Sequence, residues 1–275
     1  MKDQPVRVTS HWMAAIRDRE HQRPDAYFND EYALRVITDP EAAAGQLSTL
    51  DRLGGPSGSV VVRGRLGDEI LKRATGAGVR QAVTVGAGLD TRPWRLPLPA
   101  ELAIDLRFFE LDLPGQLDRK VARLGPPTCD RITVAADVRD DWPVALLEAG
   151  FDPERPAVWM VEGLLHYLDR AQADALRDKL TAASAKGSWL TGDVPHPALL
   201  TDPAHRGFLE WMVRRGSPFV GALTDPAAWL AAAGWNAEAH RPSDLLSGAC
   251  SLVPPPPARL FKDHRHLWYF HAKRP

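Results

Sequence analysis

The chain has 275 residues, with 34 lysines and arginines against 35 aspartates and glutamates. That balance argues against a general nucleic-acid or membrane-surface binder, since both rely on an electrostatic excess. The length suits a single α/β domain, no run approaches the roughly 18 apolar residues of a spanning helix, and the opening segment MKDQPVRVTS has no apolar leader core, so a cytoplasmic protein is expected.

Residues 8–22 carry Trp12, Ala15 and Ile16 at helical spacing, with Thr9 or Ser10 as N-cap. Arg23 and Pro24 stop that helix, because the residue before proline avoids the helical region. Two further helices are predicted around 30–37 and 41–53, before the break GGPSG at 54–58, so residues 1–58 read as a helical cap. Residues 59–74 read as another helix, on which Arg63 and Arg65 lie about 200° apart and face different surroundings.

The segment VRQAVTVGAGLD at 79–90 is the centre of the chain. Its short β-branched run predicts a buried parallel strand, and Gly86 and Gly88 predict the bend out of it, at the strand edge where open α/β sheets bind ligands. A dinucleotide fingerprint would place a third glycine where Thr91 stands; GAGLDT keeps the close backbone approach and loses the pyrophosphate cradle. Thr91 is predicted to cap the following turn.

A second strand, near 105–111, leads to Asp112, which lies 24 residues beyond Gly88. That is close to the spacing at which nucleotide-binding folds present an acid to ribose hydroxyls, and a carboxylate accepts from both. A third strand, 132–136, ends at Asp137, and the backbone of Val138 is placed to read an adenine edge. Strand four, 157–161, runs directly into Glu162, whose carboxylate at a buried sheet edge predicts a cationic group in the pocket.

A capped helix over 169–183 and a fifth strand at 188–191 follow, then the segment 195–224, inserted where a regular doubly wound unit would pass straight to its next helix and read as a lid or substrate wall. Helix 225–233, strand 235–239, a proline connector at 254–257 and a last strand over 266–272 complete the chain. Cys129 and Cys250 make no CxxC, and both are expected to be buried, idle thiols. His264, His266 and His271 lack matching acid or thiolate spacing, so a solvated strand and no metal are expected. Tyr269 and Lys273 spell YxxxK but fall about 13 Å apart along a strand, which disfavours an oxidoreductase pair, and no GxSxG follows a strand.

Taken together, REHQRPDAYFND at 19–30, the helix with Arg63 and Asp68, VGAGLDTR at 85–92, FELDLP at 109–114 with Lys120, DVRDDW at 137–142 and EGLLHYL at 162–168 resemble the bacterial S-adenosylmethionine-dependent methyltransferases of the leucine carboxyl methyltransferase group, some of which esterify polyketide carboxylates. The resemblance implies an α/β, doubly wound Rossmann-like class I methyltransferase sheet in one domain: cap 1–58, cofactor core 59–194, insert 195–224, C-terminal strands 225–275. It implies S-adenosyl-L-methionine as cofactor. Arg63 would pair with the methionine carboxylate, Gly86, Ala87 and Gly88 would lie against the methionine, Asp112 and Leu113 would hold the ribose, Asp137 and Val138 the adenine, and Glu162 and Gly163 the amino end. Gly64 and Gly67 depart from the bulkier residues usual in that helix; at up to about 1 kcal/mol each, they predict an irregular element.

The expected reaction is in-line methyl transfer to oxygen of a small-molecule acceptor, with no nucleic-acid or membrane partner and a homodimer left open. A carboxylate acceptor needs a basic anchor, for which Arg17, Arg206, Arg214 and Arg215 are candidates. A phenol needs a base, for which His166, Tyr167 and His196 are candidates. The alternative is a protein of the same fold that binds S-adenosylmethionine without transferring its methyl and acts on a metabolite as a binder or cyclisation guide.

Overall fold

The computed structural model describes residues 5–55, 57–96, 98–261 and 266–275. Met1–Gln4 of the opening segment and His264 lie outside the described residues. Each apolar run that ends in glycine or an acid becomes a strand of one seven-stranded sheet: β1 Gln81–Val85, β2 Arg107–Asp112, β3 Asp130–Ala135, β4 Val158–Val161, β5 Trp189–Pro195, β6 Asn236–His240 and β7 Leu267–Lys273, in the order β3-β2-β1-β4-β5-β7-β6. The first five are parallel, and β7 runs antiparallel between β5 and β6. β1 and β4 are buried along their whole length, as near-continuous apolar runs in a parallel sheet covered on both faces must be. The chain reverses its direction of travel across the sheet between β1 and β4, which opens a crevice at their carboxyl ends.

Three long helices precede β1: α1 Pro5–His21, α2 Pro40–Arg52 and α3 Ser57–Gly76. Asp39 caps α2 through the Ala42 N–H at 2.9 Å, with Pro40 in the first turn, where its missing N–H costs nothing. Trp12 and Ile16 of α1 pack with Val60, Val62 and Leu66 of α3 and with Phe208 and Met212 of the inserted segment. Helices α1 and α3 therefore share one apolar core with Phe208 and Met212. No helix among the described residues is long and apolar enough to cross a membrane, and Cys129 and Cys250 are free and buried.

The structure corrects several expectations. Residues 31–36 run as successive turns rather than a helix, because Asp30 is drawn into the interior at 1% exposure and bonds Arg17 and Thr91. β5 continues to Pro195, four residues past Thr191, because β7 pairs with it along that length, Asp193 opposite Tyr269 and Pro195 opposite Leu267. α3 is continuous through Gly64 and Gly67. A Cβ on Gly64 would stand 3.1 Å from the Phe28 ring, and one on Gly67 would stand 2.0 Å from Glu162 Oε1. Those glycines are where neighbours approach the helix, not where it weakens.

Candidate active site at the reversal of strand order

Gly86 and Gly88 leave β1 with φ of +74° and +47°, a region that side chains disfavour. The N–H groups of Gly86 and Ala87 donate to the Leu111 carbonyl at 2.8 and 3.0 Å, so the loop folds over the end of β2. Asp112 locks it there: Oδ2 accepts the Gly88 N–H at 2.6 Å while Oδ1 accepts the Leu113 N–H at 2.7 Å. At the end of β3, Arg139 donates to Asp137 from Nε at 2.9 Å, and that hydrogen bond holds the Asp137 carboxyl below its usual range. Gly86, Ala87, Gly88, Asp112, Leu113 and Asp137, with Val138, Glu162, Gly163 and Arg63, line one cavity of about 260 Å³, so all ten positions predicted to meet the cofactor come together.

The cation demanded by Glu162 is Arg92. Its guanidinium reaches Glu162 Oε1 and Oε2 at 2.8 and 3.2 Å, Asp68 at 2.8 Å and Asp90 at 2.7 Å. Arg95 adds a second cation on Asp68 at 2.6 Å. Burial raises the Glu162 pKa, partly offset by Arg92; for Asp90 burial also pushes upward, but Arg92, Arg95 and Lys120 win and hold its carboxyl below the usual range. Burial alone would lower the pKa of Arg92, yet the surrounding carboxylates raise it well above the ordinary value. Thr91 does not cap the next turn with its side chain. It donates to Asp30 at 2.7 Å, and Asp90 accepts the Arg92 N–H at 2.9 Å instead.

Arg63 is positioned by Asp193, a residue the shorter predicted β5 left in a loop. Asp193 Oδ2 accepts from Arg63 at 3.2 Å and Oδ1 accepts the Gly163 N–H at 2.7 Å. Gly163, at φ +66°, lies so close that a Cβ there would stand 2.8 Å from the guanidinium. Strand-end acids at Asp112, Asp137 and Glu162 formed the pattern that would have found Asp193. Arg92 had no such signal, because its partners lie in three separate segments of the chain.

Other predicted residues fall elsewhere. Tyr167 lines the cavity, but burial pushes its phenol up to about 12. His166 does not line it; burial lowers its imidazole to about 4, and it packs edge-on against Phe219. The Nδ1 of His196 accepts the Ala198 N–H at 3.1 Å and caps a short helix away from the crevice. Arg17 lines the cavity with its guanidinium committed to Asp30 and the Leu89 carbonyl, at 2.8 and 2.7 Å. Arg206 and Arg214 border a separate groove beside Glu210, and Arg215 lies over the Trp211 ring at 4.6 Å, so none of the three faces the cavity. No residue of 195–224 lines it either; the insert supports its wall through Phe219 against Tyr167. Tyr269 is buried with its hydroxyl unpaired among the described residues while Lys273 lies over Trp189, so YxxxK is no catalytic pair. His266 bonds Asp202 at 3.0 Å, and His271 is half-buried beside His240 rather than solvated.

The cavity fits a zwitterionic sulfonium nucleoside. It offers Arg63 for an anion, three strand-end acids, a glycine floor with no diphosphate cradle, and apolar walls from Val60, Ala136 and Leu164. The Thr84 hydroxyl in its lining is buried with no hydrogen-bond partner among the described residues, and so can serve a ligand as donor or acceptor. Strand order and site together define a class I S-adenosylmethionine-dependent methyltransferase. The chain belongs to the leucine carboxyl methyltransferase family, whose model matches residues 10–181. Among its relatives, a proposed S-adenosyl-L-methionine-dependent methyltransferase of Mycolicibacterium smegmatis is 37% identical, with 95% of this chain and 94% of that one covered. Another so named, from Mycolicibacterium paratuberculosis, is 38% identical over 93% of this chain and 84% of its own. The crystal structure of a DUF574 family protein from Streptomyces avermitilis shares the fold, with a TM-score of 0.63 at 19% identity, covering 95% of this chain and 97% of that one.

Proposed function

We propose that the protein is an O-methyltransferase that esterifies the carboxylate of a small organic acid, such as an aromatic or polyketide acid of secondary metabolism. The observation that carries this reading is the absence of a neutral-range base: among the described residues no histidine lines the cavity, and Tyr167 there is pushed up to about 12. A carboxylate is already ionised near neutral pH and needs no proton removed, whereas a phenol does. The family name itself points to a carboxyl acceptor.

Bound S-adenosylmethionine supplies an electrophilic methyl on its sulfonium sulfur. The protein's own contribution is alignment and exclusion of water. Arg63, steadied by Asp193, meets the methionine carboxylate with the N–H groups it does not spend on Asp193 and on the Met13 sulfur. Asp112, fixed by the Gly88 and Leu113 N–H groups, receives the ribose, Asp137 and Val138 receive the adenine, and Glu162, kept in place by Arg92, receives the amino group. In this reading residues 1–58 cap the core 59–194, the segment 195–224 braces the acceptor wall through Tyr167, and 225–275 completes the sheet. The partner is a small molecule, with no role for nucleic acid or membrane.

The test is incubation with methyl-labelled cofactor and a panel of aromatic and polyketide acids, followed by mild base. Label released as methanol supports the ester. Label that survives base means an ether and contradicts the carboxylate assignment, and binding without transfer to any acid supports a metabolite-binding protein instead.

A further inference from the structure

β6 is an edge strand, paired only with β7, and lies four places from β1 in the strand order. Glu238 stands directly opposite His271 in that pair, and His240 follows Glu238 by two residues and so shares its face. The three side chains converge. His240 Nε2 and His271 Nε2 are 3.4 Å apart, and Glu238 Oε2 is 3.8 Å from the first and 3.7 Å from the second. The imidazole rings stack at 5.5 Å with 20° between their planes. One oxygen and two nitrogens, three lone-pair donors, thus face a common point within 4.8 Å of one another.

These separations are poor for direct bonding and good for sharing an ion. A nitrogen pair at 3.4 Å is at best a long hydrogen bond, and an oxygen at 3.7 to 3.8 Å makes none. Two nitrogens at about 2.0–2.1 Å from a tetrahedral zinc ion stand about 3.4 Å apart, which is the spacing found here. The carboxylate needs to move inward by only a few tenths of an ångström, and Glu238 is free to do so at 71% side-chain exposure, while the histidines are held at 11% and 14%. We propose that Glu238, His240 and His271 bind one divalent transition-metal ion of the zinc type, with water completing its coordination, and that the ion cross-links β6 to β7. Two imidazoles and one carboxylate select such an ion over magnesium or calcium, which take oxygen ligands. None of the three residues lines the cofactor cavity, so the site is structural and separate from methyl transfer.

The experiment uses the full chain without an affinity tag, stripped with EDTA and dialysed, titrated calorimetrically with zinc chloride and, separately, magnesium chloride. One zinc per chain with micromolar or tighter affinity is expected, together with a zinc-dependent rise in melting temperature and no response to magnesium. His240→Ala and His271→Ala should each weaken binding about tenfold or more. Because His240 and His271 also pack against each other, Glu238→Gln decides: this exposed residue can change without unfolding the chain, and the variant should bind zinc several-fold more weakly at an unchanged metal-free melting temperature. No zinc binding by the parent protein, or binding unchanged in Glu238→Gln and in any folded histidine variant, overturns the proposal.

Discussion

Arg92 is 1% exposed and touches three carboxylates, from α3, from the glycine loop and from the end of β4. Placing that much charge in the interior is costly, and the pairing offsets the cost only while every partner is present. Removing the guanidinium in Arg92→Ala leaves Asp68, Asp90 and Glu162 facing one another and is expected to destabilise the protein by about 3–5 kcal/mol, read by urea unfolding. A loss under about 1 kcal/mol would mean the network is solvated. At this scale the sequence was readable where a residue ends a strand: Gly86, Asp112, Asp137 and Glu162 each follow an apolar run, and all four line the cavity. Glu162 even announced that a cation must meet it. Which cation could not be read, because Arg92 and Glu162 are 70 residues apart and only the packed fold joins them.

Helix α3 shows how glycine serves two different ends. Gly67 is pressed against the Glu162 and Arg92 pair, where an added Cβ would stand 2.0 Å from Oε1 and 2.5 Å from the guanidinium. Gly67→Ala is therefore expected to cost about 1–3 kcal/mol through overpacking and to disturb the cofactor pocket. Gly45 in α2 has nothing within 4 Å of the same position, so Gly45→Ala should stabilise by up to about 1 kcal/mol. Thermal unfolding of the two variants side by side checks both signs; equal effects would refute the close-approach account. The helix and strand order was legible from periodicity and punctuation, whereas the length of β5 was not. That strand is extended by pairing with β7, which lies far along the chain, and so Asp193 entered the site unseen.

For the whole molecule, burial of His166 links stability to pH. The unfolded imidazole takes a proton near 6.5 and the folded one only at about 4, because burial disfavours its charged form. Between those values the unfolded chain binds more protons, so the His166 contribution is complete above pH 6.5 and is lost as pH falls toward 4, by about 1.4 kcal/mol per pH unit. Stability curves of the parent and of His166→Gln over that window should diverge by this slope in favour of the variant's flatter profile, and parallel curves would contradict it. Asp30 and Asp90, held below the ordinary carboxylate range by their arginines, instead lose their contribution at still lower pH.

The α/β class and the long helices before β1 were readable because strands, glycine bends and helix periodicity are local signals. The site's second layer was not, since it is built from ion pairs between distant segments. Cofactor binding depends on the strand-end acids gathering around one nucleoside, and calorimetric titration of the parent protein and of Asp112→Ala with S-adenosylmethionine tests that gathering most directly. A single site per chain, weakened in the variant by about 1–3 kcal/mol with the fold intact by circular dichroism, is the predicted result. Equal affinity in the two proteins, or no binding by the parent, would contradict it.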